Sequence, residues 1–184
     1  MSAPNEPDRE AVHEQRGLDL GPRISAHEGP RRRPAIGKIR RGAPTSRCSD
    51  PPAPALLQGI AQFNRGEFFE QHETLEAAWI EEDDPVRYLY QGILQIGVGF
   101  HHLANGNAYG ARRLWQRGID LLEPFRDGCM NVDVDRLIRD TELCLAEMER
   151  TGVTGTHEFP TELIPRVQWL AEREPGAGSR QPKG

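Results

Sequence analysis

From Pro54 onward the apolar residues return every three or four positions, the period of a helix with one buried face. Pro54 suits a first helical turn, Leu56, Leu57, Ile60 and Phe63 form the stripe, and Gly66 is a left-handed stop. A second helix covers 67–82. Asp84 caps a third, with Pro85 at its first position, and this helix runs to residue 104 or so. The turn Asn105–Gly106–Asn107 leads into a fourth, capped by Asn107. There Ala111, Leu114, Trp115, Leu121 and Leu122 keep the spacing until Pro124 and Gly128 close it. Asp133 caps a fifth, whose stripe is Val134, Leu137, Ile138, Thr141, Cys144, Leu145 and Met148, ending at Gly152. Thr161 opens a short sixth with Leu163, Val167, Trp169 and Leu170, although Pro165 falls near its first turn. No stretch alternates apolar and polar residues as a strand would. Short loops make successive helices antiparallel neighbours, so the expected fold is all-α: a single bundle of five to six helices arranged as stacked hairpins.

Two of these helices carry polar residues where apolar ones are expected. With Phe68 at zero and roughly 100° per residue, His72 falls at ~40°, Leu75 at ~340°, Trp79 at ~20° and Glu76 at ~80°. Glu67, Glu70, Thr74, Glu81 and Glu82 take the opposite side, with Glu73 near the margin. The third helix is apolar almost all round, through Ile93, Leu94, Ile96, Val98, Phe100 and Leu103, which implies burial on several sides. It keeps a narrow polar row: from Gln91 at zero, Gln95 falls at ~40° and His102 at ~20°, while His101 at ~280° is off the row, a structural or edge position. A buried lone carboxylate costs several kcal/mol and an unpaired amide about 1–3 kcal/mol. The pattern therefore predicts that the second and third helices pack antiparallel, with His72 and Glu76 meeting Gln95 and His102. Gly92, Gly97 and Gly99 each cost about 1 kcal/mol of helix propensity, which implies close approach of a neighbouring helix or a ligand.

Composition changes the picture mainly at the ends. The chain has 184 residues, 36% of them hydrophobic, and nine of its fifteen prolines lie in residues 1–54. That segment has no sustained period and too little apolar surface to offset the entropy of ordering. Three parts follow: a disordered Pro/Arg-rich tail (1–53), a helical domain (54–173) and a disordered C-terminal tail (174–184). Residues 1–52 carry a net charge of +3 and the remainder −8. The acidic balance disfavours nucleic acid or an anionic membrane as partner of the helical part. Only the basic segment 31–47 offers a surface for nucleic acid or an acidic partner, and it lacks interleaved aromatics for base stacking. A solvated tail is the plainer reading of it. A homo-oligomer is compatible with the sequence. The N-terminus shows no signal pattern and no apolar run reaches the ~20 residues of a membrane-spanning helix. Cys48, Cys129 and Cys144 form no Cys-x-x-Cys pair, and so few cysteines read as free thiols in a reducing compartment. The expectation is a cytoplasmic protein.

The stretches FNRGEFFEQHETLEAAW and YLYQGILQIGVGFHHLANGNAYGARRL resemble, in order and spacing, the two sequence blocks of the DUF309 family, whose signature is His-x-x-x-Glu-x-x-Trp. The resemblance covers roughly residues 56–125. It implies a helical prokaryotic domain of no established activity, suspected of metal binding or catalysis. It directs that suspicion to His72, Glu76 and Trp79.

His and Glu four residues apart project side by side and can grip one divalent cation. With His102 as third ligand, the set His72, Glu76 and His102 suits Zn²⁺, Fe²⁺ or Mn²⁺ and leaves open positions for water, so it could support hydrolysis. Glu73 would be the nearest base; Gln91, Gln95, Trp79 and His101 would orient substrate or complete the network. Without a metal, Glu76 can hold His72 in one tautomer and make it a general base. HExxH, the Glu-x-x-His motifs of di-iron bundles, Walker loops and GxGxxG are all missing. The rival reading is a non-enzymatic helical-hairpin interaction module. In it the His/Glu/Gln network sets helix register and a groove takes a partner. Trp79, Trp115 and Trp169 read first as core packing. Arg112, Arg113 and Arg117 read first as a solvated helix face.

Overall fold

The computed structural model describes Gly42 and residues 45–152 and 159–170. Five α-helices follow one another: α1 (Pro54–Arg65), α2 (Phe68–Glu81), α3 (Arg87–Ala104), α4 (Ala108–Leu122) and α5 (Val134–Thr151). No strand occurs among the described residues, only isolated bridges that pair Val132 with Cys129 and with Trp169. The fold is an all-α bundle.

Several boundaries fall where local chemistry places them. Gly66 and Gly152 end α1 and α5 with φ of 79° and 67°, a conformation that disfavours any side chain. Asn107 Oδ1 accepts from Gly110 N at 2.8 Å and Asp133 Oδ1 from Arg136 N at 3.0 Å, satisfying donors in the first turns of α4 and α5. Asp84 is not the cap of α3, which starts two residues later than expected, at Arg87. Asp84 Oδ1 accepts from Val86 N at 2.9 Å and shapes the turn that precedes α3.

Each helix packs on the next, and α3 is the centre. The antiparallel α2–α3 pairing is fixed at both ends. Phe68 at the start of α2 stacks on Phe100 near the end of α3, centroids 5.5 Å apart. Arg87 at the start of α3 lies over the Trp79 ring near the end of α2, 5.3 Å from its centroid. Between α3 and α4 the glycines bring backbones together: a Cβ on Gly118 would meet Gly92 O at 3.0 Å and Ile96 Cγ1 at 2.7 Å. The return on Gly92 and Gly99 is therefore helix contact, against Leu122 and Trp115 respectively. Trp115 is fully buried and its Nε1 donates to Ile96 O at 3.1 Å.

Five expectations are corrected. The sixth helix does not form. Only a 3-10 turn, Thr161–Leu163, precedes an extended stretch in which Pro165 blocks further helix. That stretch is held by Asn64, whose side chain bonds both Val167 N (2.8 Å) and Val167 O (2.9 Å). Its Trp169 is partly exposed rather than core. Leu57, placed in the stripe of α1, is exposed. Residues 45–53, expected in the disordered tail, are tied down: Thr45 Oγ1 donates to Asp84, and Arg47 pairs with Glu82 at 2.6 Å. Finally, Cys48 and Cys129 form a disulfide across 81 residues, so only Cys144 is a free thiol. The inference of a reducing compartment from three free thiols loses its premise. Most of the basic segment 31–47, the rest of the N-terminal tail and the C-terminal tail lie outside the described residues.

Candidate functional site around the third helix

The buried face of α2 is formed by Phe68, Gln71 and Leu75. His72, Glu76 and Trp79 sit on its half-buried flank, and Glu73 is exposed on the outer side. The angular reading placed His72 slightly too far in, because the face centres nearer Gln71 than Phe68. Gln71 itself was missed. It is fully buried, packs over Gly97, and donates from Nε2 to Ile93 O at 3.3 Å.

On α3 the residues that meet Phe68 and Gln71 are Ile93, Gly97 and Phe100. At roughly 100° per residue, Gln91, Gln95 and His102 lie on about the opposite side of the helix. The two polar rows therefore do not face one another as predicted. Gln91 is buried; Gln95 and His102 are half-buried. The histidine that feels His72 is His101, which the periodicity had set aside as an edge position. Burial pushes His101 below the usual imidazole range, with smaller contributions from the charges of His102 and His72, while Glu70 acts the other way. His102 is also pushed down by burial. Its Nδ1 lies 2.9 Å from Asn107 Nδ2. Since Asn107 Oδ1 already accepts from Gly110, the amide nitrogen faces the imidazole, and His102 Nδ1 is the acceptor.

The expected ligand set His72, Glu76 and His102 is not assembled by this geometry. Among the described residues no three His, Cys, Asp or Glu side chains converge closely enough to hold a metal ion. His102 spends one ring nitrogen on the α4 cap, and Glu73 is exposed. What the region has instead is buried polar atoms without hydrogen-bond partners. Gln71 Oε1, Trp79 Nε1, Gln95 Oε1 and His101 Nδ1 belong to this group, as do both Nη atoms of Arg87. A separate cavity of about 490 Å³ beside the disulfide, lined by Asp50, Pro51, Pro52, Asn131 and Leu170 among others, contains none of the candidate catalytic or metal-binding residues.

Residues 56–114 match the model of a family described as a domain of unknown function, DUF309. Over these residues the chain is similar to that domain. The match begins where the resemblance was expected to begin and ends at Leu114, so it spans α1 to the middle of α4. No curated protein and no solved structure matches the chain. Within the matched segment, His72, Glu76 and Trp79 lie on one half-buried flank of α2, beside the most deeply buried helix. Among the described residues no helix is long and apolar enough to cross a membrane.

Proposed function

We propose that the helical domain is a non-enzymatic interaction module that takes polar partner groups on both sides of α3. His72, Glu76, Trp79 and His101 would supply hydrogen bonds on the side of α2, and Gln91 and Gln95 on the opposite side. The observation that supports this is the set of open bonds: Gln95 Oε1 and His101 Nδ1 are buried in the free chain with nothing to bond. A network kept only to set helix register would close its bonds, since each unpaired buried group costs about 1–3 kcal/mol. Groups kept open against that cost are characteristic of binding sites, where stability is traded for function. Metal-assisted hydrolysis has less support, because the proposed ligands do not converge.

The test is chemical denaturation of the full chain and of Gln95→Leu, with metal analysis of untagged wild-type and His72→Ala protein. Removing an idle carbonyl should make Gln95→Leu more stable by about 1 kcal/mol. Both preparations should hold no stoichiometric divalent ion. A destabilised Gln95→Leu would mean a closed structural network. One bound ion per chain, lost in His72→Ala, would restore the metal reading.

A further inference from the structure

Arg87 is the one side chain whose burial contradicts its chemistry most sharply. It is 2% exposed, and both Nη1 and Nη2 are buried without an acceptor. A guanidinium cannot shed its proton to relieve the cost. The charge therefore stays, and an uncompensated charge in the interior costs several kcal/mol.

The carboxylates nearest along the chain are committed elsewhere or face water. Glu82 pairs with Arg47 at 2.6 Å and accepts from Asp84 N at 2.9 Å. Asp84 accepts from Val86 N and Thr45. Glu81 and Asp83 are exposed. The Arg87 side chain belongs to no ion pair among the described residues, and its guanidinium lies over the face of the Trp79 ring. That indole, half-buried, shields the guanidinium from solvent and carries a second buried donor without a partner, Nε1.

Three unpaired N–H-bearing nitrogens of two stacked side chains, carrying one full positive charge, are the donor set of an oxyanion. We propose that Arg87 and Trp79 form a binding site for a carboxylate or phosphate group, held in the fork of the guanidinium and by the indole N–H. This rests on the reading of the domain as a binding module and names the chemistry of what is bound. The anion supplies the countercharge that the described residues do not.

The full chain is titrated with sodium phosphate and, separately, with sodium acetate at ionic strength held constant by sodium chloride, reading melting temperature and tryptophan fluorescence. Wild-type protein should be stabilised saturably by at least one of the two beyond matched chloride, and which one identifies the group. Arg87→Met, of similar length and uncharged, should fold and lose the response. Trp79→Phe keeps a ring under the cation but removes the N–H, and should bind about 5–10-fold more weakly, which keeps the test decisive if Arg87→Met does not fold. A wild-type response no greater than that to chloride would overturn the proposal, as would an unchanged response in Arg87→Met or unchanged affinity in Trp79→Phe. Gln95→Leu tests the wider reading by stability alone, so the two fail separately.

Discussion

His101 combines three properties: it is almost wholly buried, its Nδ1 has no partner, and its pKa is held down chiefly by desolvation. The unfolded chain takes up a proton near the ordinary imidazole value of about 6.5, whereas the folded chain resists it. Unfolding is therefore favoured as pH falls through about 6.5 toward the depressed folded value. His102, shifted in the same direction, adds to this. Denaturation midpoints measured from pH 7.5 to 5 should fall for the wild type and fall less steeply for His101→Gln; parallel profiles would show that His101 is not the group responsible. At this scale the sequence was only half legible. Helical angles located the α2 flank but centred the face on Phe68. Yet the same wheel puts Gln71 at ~300°, beside Leu75, which was a usable sign of its burial. Arg87 falls at ~320° on the wheel of α3, between Leu94 and Val98, so its burial was also legible once charge was disregarded. Which neighbour a side chain meets depends on how helices rotate against one another. One helix's period does not contain that, and so His101 rather than His102 is the residue near His72.

The helices were legible where a start or stop is set locally, as at Gly66, Asn107, Asp133 and Gly152. The cap of α5 carries a measurable share of that information. Asp133 Oδ1 bonds Arg136 N, while Asp133 N separately bonds Gln168 O at 2.9 Å. Asp133→Ala removes the first bond and keeps the second, so it should lower stability by about 1 kcal/mol with the denaturant slope unchanged. A change below a few tenths of a kcal/mol would mean that α5 is held by packing alone. By contrast, the segment after Thr161 had the apolar spacing of a helix and did not become one. Pro165 cannot donate to a helical ladder, and the chain instead finds partners in Asn64 and in the backbone of Asn131 and Asp133, through bonds that span about a hundred and about forty residues. Those partners are invisible to a local window.

At the scale of the whole molecule, the N-terminal segment joins the body through Cys48, whose carbonyl also accepts from Met130 N at 2.8 Å. Composition alone could not show this, because the prolines around Cys48 look like linker and its partner is 81 residues away. A crosslink closing so long a loop removes much of the freedom of the unfolded chain, a contribution of about 2–4 kcal/mol. Cys48→Ser, or reduction of the wild type, should therefore lower stability by about 2–4 kcal/mol and expose residues 45–53 to protease, since the Arg47–Glu82 pair is partly solvated and holds little by itself. The remaining thiol makes the bond easy to count. Cys144 is buried, bonds Leu163 O, and is pushed up to about 12 by desolvation, so it is unreactive in the folded chain. A thiol reagent should find none in native protein, one in denaturant and three after reduction. Three thiols in unreduced, denatured protein, with stability untouched by reductant, would mean that Cys48 and Cys129 are never joined and that the segment before α1 is held by its ion pair and backbone bonds alone.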